Sequence, residues 1–188
     1  MQKRFTIIFG IVVGVILLAL VAVTFGLYPV ALVDGSPIFS FQYNRAYALA
    51  RAYWQPLNNA AKEPLSSAEL VRLLKAAVIE GLIDERVLTH FLGVEIGPSI
   101  LQEKIDERVT QMKSDDQIQK DFSAIGTFPK NGLTAYFRLL ALYDIGQGQL
   151  DLENGGDLSA WLADKRKGVL VKEFLPGVEW TEGRVVVQ

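Results

Sequence analysis

The chain offers few residues that could do chemistry. His90 is its single histidine and it has no cysteine. Disulfides, thiol catalysis and thiolate metal sites are therefore excluded, a multi-histidine metal site is impossible, and a nucleophile–histidine triad is hard to assemble. His90 follows a long apolar-striped segment and precedes Phe91, the setting of a surface or cap histidine. Asp115 and Asp116 are adjacent, and adjacent side chains point apart, so they read as a solvated turn and not as an acid–base pair. Asp84-Glu85-Arg86 and Asp106-Glu107-Arg108 read as charged faces of amphipathic helices. Gly35, Gly155-Gly156 and Gly183 fit no phosphate-cradling pattern of spaced glycines before a helix. Neither G-x-S-x-G nor H-E-x-x-H occurs. The expectation is a protein with no catalytic residue, no metal and no cofactor.

The aromatic residues are the remaining chemical feature. Tyr43, Tyr47, Tyr53 and Trp54 fall on one helical segment, and Tyr136, Phe137 and Tyr143 on another. Rings at helical spacing commonly fill a core. They also suit an apolar groove that holds extended polypeptide, because Tyr and Trp combine contact area with a polar tip. On that second reading Tyr47, Trp54, Tyr136 and Phe137 are the candidate peptide-binding residues.

These segments must be positioned by a mainly α architecture with a small β element. Val30 to Val33 is a short strand, Asp34-Gly35 is a turn pair, and Pro37 keeps Ser36 extended. Ser40 is a candidate N-cap for a helix from Phe41 to about Trp54. The stretch "QPLNNAAKEPLSS" reads as a linker punctuated by Pro56 and Pro64. Ser66 and Glu69 form a capping-box pair. The helix that follows, to about Leu92, carries a stripe of Leu70, Leu74, Val78, Ile83, Val87 and Phe91, and Gly93 is a suitable stop. Pro98 opens a further helix to about Lys113. Phe122 and Ile125 lie on a short helix or loop, "GTFPKNG" is a loop, and Leu133 to about Ile145 is a helix. Asp157 caps a last helix, with Gly168, Val169 and Val171 straining any continuation to Phe174. The tail "VEWTEGRVVVQ" reads as strand, Glu182-Gly183 turn, strand. The expected closure pairs the first strand, Val30 to Val33, with these last strands.

Residues 5–27 carry no charge. At about 1.5 Å per residue this run reaches about 35 Å, enough for a hydrocarbon core of about 30 Å. It is longer than the apolar region of a cleaved signal peptide, and Ala22-Val23-Thr24 is a poor cleavage site. Lys3 and Arg4 precede it, and no base follows until Arg45. The positive-inside rule then gives a single-pass protein with residues 1–28 as cytoplasmic stub and transmembrane anchor, and residues 29–188 as an extracytoplasmic domain. The chain has 19 Lys and Arg against 21 Asp and Glu. With two of those bases ahead of the run, the remainder is the more acidic part, and no basic stripe suggests a nucleic-acid partner.

The order of pieces resembles the N-terminal chaperone domain of the SurA/PrsA/PpiD group of foldases. The resemblance is carried by "VALVDGSPI", "VIEGLIDERVLTHFLGVEI", "GPSILQEKIDERV", "GLTAYFRLLALYDI" and a returning helix at "WLADKRKGVLVKEF". It covers about Val30 to Gln188. It implies a membrane-anchored holdase or foldase-like module whose partners are unfolded or newly exported polypeptides, near the secretion machinery. Full members often carry a parvulin prolyl isomerase domain before the returning helix. Here that junction is only "GQLDLENGGDLS", far below the roughly 50 residues a domain needs, so the expectation is no isomerase activity and no enzyme. The alternative is a structural subunit of a membrane or secretion complex that reuses the fold as a protein–protein interface.

Overall fold

A computed structural model describes residues 20–21, 23–125, 130–153 and 155–187. Among these residues the fold is mainly helical with small antiparallel sheets. Its elements in chain order are strands β1 (Pro29–Val33) and β2 (Ser36–Phe39), then helices α1 (Ser40–Ala60), α2 (Ser67–Ile96), α3 (Pro98–Ser114), α4 (Asp116–Ile125), α5 (Lys130–Glu153) and α6 (Leu158–Gly168). Strands β3 (Val171–Glu173), β4 (Val178–Thr181) and β5 (Arg184–Val187) follow.

The Asp34-Gly35 turn joins β1 and β2 as an antiparallel hairpin with Val33 opposite Ser36. Both turn residues have positive φ, 48° and 80°, the geometry of a two-residue turn that matches strand twist. Asp34 also holds the next strand in place. Its backbone N–H donates to the Leu170 carbonyl at 2.9 Å, and its carboxylate accepts from the Leu170 N–H at 2.9 Å. β3 therefore pairs with β1, Val33 opposite Val171, giving a sheet of order β2-β1-β3.

This corrects the expected closure. The first strand pairs with Val171–Glu173, the β-branched stretch beyond α6, and not with the tail. The tail forms its own hairpin, β4 with β5, around Glu182 and Gly183 at positive φ. That hairpin lies on α2, where the Glu80 carboxylate accepts from the Val185 N–H at 3.0 Å. Val185 shares a buried cluster with Val30, Val33 and Ile38. Helix α6 ends at Gly168 because the β-branched run that follows has a strand to join.

Other boundaries shift for local reasons. α1 starts one residue early: Phe39 holds the cap position, and its N–H donates to the Gln42 side chain at 2.9 Å. Ser40 is not the cap. Its N–H and that of Phe41 are taken by the carbonyls of Tyr28 and Gly26, so the incoming chain caps the helix with its own backbone. α1 also runs through Pro56 to Ala60, over residues read as linker. Proline removes one helical hydrogen bond, and near a helix end the loss is small. Asn58 then closes the connection, its side chain bonding both the N–H and the carbonyl of Leu65. The Ser66–Glu69 capping box is present at the start of α2. α2 continues past Gly93 to Gly97, which has a φ of 88°. The loop "GTFPKNG" lies partly outside the described residues.

The expected single-pass anchor is contradicted. Among the described residues no helix is long and apolar enough to cross a membrane. α2 has the length but carries Glu69, Arg72, Lys75, Glu80, Asp84, Glu85, Arg86 and Glu95. The charge-free run lies mostly outside the described residues; within them it ends in a turn at Gly26, whose φ is 65°. The placement of residues 29–188 as an extracytoplasmic domain on a single span thus finds no support in the fold.

The core has two halves joined by α2, which is 30 residues long and so about 45 Å from end to end. Its middle gives Val78, Ile79 and Ile83 to the sheet-side cluster, with Tyr43 of α1. Its second half gives Leu88 and Leu92 to a helical cluster with Leu101 and Ile105 of α3, Phe137 and Leu142 of α5, and Leu158 and Leu162 of α6. One rigid rod thus carries both halves, and the space beside its middle is left to α1 and α5.

Candidate functional site

A cleft of about 730 Å³ opens between α1, α2 and α5, with Phe122 of α4 at its edge. The sequence shapes each wall. Along α1, Phe41, Arg45, Leu49 and Tyr53 recur at four-residue spacing, which puts them on one face, and Trp54 follows Tyr53 at the cleft's edge. α2 supplies the floor through Ala77, Gly81 and Leu82. Ala77 and Gly81 are one turn apart and small, so the floor is recessed. α5 brings Ala135, Tyr136, Arg138 and Leu139.

The rim is aromatic. Trp54 is 47% exposed and Tyr136 is 36% exposed. Tyr53 and Trp54 meet edge to face at 5.5 Å, and Phe122 meets Tyr136 in the same way at 5.8 Å. The Tyr136 hydroxyl is pushed above the usual tyrosine value, first by loss of solvent and then by the Tyr53 hydroxyl opposite. Tyr53 from α1 and Tyr136 from α5 both line the cleft. Below them, burial pushes the Glu85 carboxyl above the usual carboxylate range, against the pull of Arg86 and Arg138. Arg138 Nε lies 3.7 Å from that carboxylate.

The four candidate peptide-binding residues divide. Trp54 and Tyr136 line the cleft. Phe137 is 2% exposed in the helical core, where it meets the Phe122 ring edge to face. Tyr47 stacks on Tyr43 at 5.9 Å and packs against the sheet-side cluster. Rings adjacent in sequence on a helix point about 100° apart, which is why Tyr136 and its neighbour Phe137 have different fates.

Sequence reasoning missed two features. Glu85, Arg45 and Arg138 line the cleft, although "IDER" read as a solvated face. Asp84 in the same motif is 1% exposed. Its carboxylate accepts the Tyr143 hydroxyl at 2.5 Å and the Arg166 Nε–H at 2.6 Å, with a second, shorter bond from Arg166 Nη2. α2, α5 and α6 are thus pinned at one buried point. The signal was available: Asp84, Leu88 and Leu92 succeed one another at four-residue spacing, the line that enters the core. Asp106-Glu107-Arg108, by contrast, is exposed as expected, with Arg108 paired to Asp144 at 2.9 Å. His90 lies on the surface, beside a smaller hollow between α2 and α3.

Among the described residues no group of three His, Asp or Glu side chains could hold a metal ion. Among the described residues the cleft presents apolar walls, aromatic rims and the charges of Arg45, Glu85 and Arg138. From Phe41 to Trp54 the α1 wall extends about 20 Å, which matches about six residues of extended chain. No protein-family model, curated protein or solved structure matches the chain.

Proposed function

We propose that the protein is a chaperone-like binding module that holds extended apolar segments of other polypeptides in the cleft between α1, α2 and α5. The reading rests on one observation: a rim of half-exposed rings, Trp54 and Tyr136, over a recessed apolar floor. Monomeric proteins rarely leave large contiguous apolar surface open unless it is used, and a cleft of this volume falls within the range of ligand sites. The resemblance of the chain's strand, turn and helix order to the SurA/PrsA/PpiD chaperone domain supports the same reading.

Binding here needs no covalent step and no nucleotide. An apolar segment gains by leaving water at about 25 cal/mol per Å² of buried apolar surface, and part of that gain is lost in ordering the segment. The expected result is weak, broad affinity, suited to repeated capture and release. The reading assigns no prolyl isomerase turnover to the chain. Light-scattering assays of several unrelated aggregating clients provide the test. Suppression across clients supports the proposal. One tight partner with no general suppression supports a dedicated interface instead, and clear turnover of a prolyl peptide contradicts the non-catalytic reading.

A further inference from the structure

Among the described residues the charges that face the cleft come from three elements: Arg45 from α1, Glu85 from α2 and Arg138 from α5. Among the described residues α4 contributes the Phe122 ring. Arg138 is already engaged. Its Nη2 donates to Gln102 Oε1 at 3.1 Å, and its Nε lies 3.7 Å from Glu85. Arg45 is different: among the described residues it has no hydrogen-bond or ion-pair partner. It sits one turn from Phe41 and one turn from Leu49, both in the same wall. The Arg45 side chain is exposed, so its unpaired guanidinium stands open at the cleft wall to an incoming group. Glu85 is a poor counter-charge for it, because that carboxylate is already next to Arg138 and is itself disfavoured by burial.

We infer that the cleft selects extended apolar segments that carry an acidic side chain, and that Arg45 is the residue that reads it. The inference rests on the cleft being a polypeptide site. An unpaired guanidinium offers a planar fork that fits a carboxylate bidentately. A segment with Lys or Arg at the same place brings like charge against Arg45 and Arg138 with only a shared Glu85 to offset it. Such charge matching sets choice among partners more than total affinity, so the apolar walls would hold the segment and Arg45 would rank it.

The test uses the 188-residue chain and three labelled apolar, aromatic peptides of about six residues. They are blocked at both ends and differ only at a central Glu, Gln or Lys. Fluorescence anisotropy is expected to rank them Glu, Gln, Lys, with about fivefold between neighbours at low salt and less at high salt. Arg45→Gln is expected to bring the three affinities together, and Arg45→Lys to restore part of the ranking. Equal binding of all three by the wild-type chain, or a ranking that survives Arg45→Gln, overturns the inference while leaving the polypeptide site standing. Failure of all three peptides to bind overturns the site itself and the inference with it.

Discussion

Truncation of Asp84 and of Arg166 should have unequal costs, and the inequality can be worked from their surroundings. Asp84 is 1% exposed, whereas the Arg166 side chain retains 21% exposure. Removing one partner of a buried ion pair costs about 3–5 kcal/mol, because the other charge is left uncompensated. In Asp84→Ala the stranded group is Arg166, at the end of α6, which can turn toward water. The expected cost is at the low end, about 3 kcal/mol. In Arg166→Ala the stranded group is a sealed carboxylate with only the Tyr143 hydroxyl left as donor. The expected cost is at the high end, about 5 kcal/mol. The double variant should cost less than the sum, with a coupling of about 1–3 kcal/mol. Urea unfolding followed by far-UV circular dichroism measures all three, with unchanged m-values as the check that only stability moved. Equal costs for the two single variants, or either one within about 0.5 kcal/mol of wild type, would refute the placement of this pair at the junction of α2, α5 and α6.

Three further outcomes are expected. Burial and the hydrogen bond to Asp84 raise the Tyr143 hydroxyl well above the usual tyrosine value. Its contribution to stability is therefore present below about pH 10, the unfolded value, and is lost only as pH climbs through the folded one. Alkaline ultraviolet titration should show one tyrosine that ionises after the others, and Tyr143→Phe should remove it. Glu85 is raised by burial too, so its folded form favours the proton and the stability it confers is lost as pH rises above the unfolded carboxylate value. Glu85→Gln should stabilise the chain near pH 7, and the gain should vanish near pH 4 in paired thermal melts. At the two turns, Gly35→Ala meets open space and should cost about 1 kcal/mol for positive φ alone. Gly183→Ala should cost more in the same melts, since its Cβ would also lie 3.2 Å from the Lys167 backbone nitrogen.

How much of this was legible in the sequence follows from how local each cause is. The two turns, the Ser66–Glu69 box and the Asp157 cap depend on residues within a few positions of one another, and each appears where spacing placed it; the α2 stripe holds as far as Ile83, after which Leu88 and Leu92 are buried and Val87 and Phe91 only half-buried. Strand pairing is not local. Val171–Glu173 is only three residues long, and nothing nearby says that β1 will choose it over the tail; the Asp34–Leu170 clamp that decides the matter spans 136 positions. Burial of charge was hidden for a similar reason. "IDER" looks solvated until Arg166 and Tyr143 arrive from distant helices to satisfy Asp84. The cleft was half visible. The rings of α1 and α5 announced an aromatic surface, but which of two neighbouring rings faces outward depends on helix rotation, set by packing against α2. The recessed floor at Ala77 and Gly81 becomes meaningful only once α1 and α5 stand on either side.

The central claim is that the half-exposed rings over this cleft grip extended apolar chain. Trp54 tests it most directly, because at 47% exposure its loss should leave the fold nearly unchanged. Anisotropy titration of a labelled apolar peptide against the wild-type chain and Trp54→Ala, with matched circular dichroism, is the measurement. The account expects saturable binding that weakens about tenfold in the variant, about 1.4 kcal/mol. Equal affinity for both proteins, or no saturable binding to either, would contradict it.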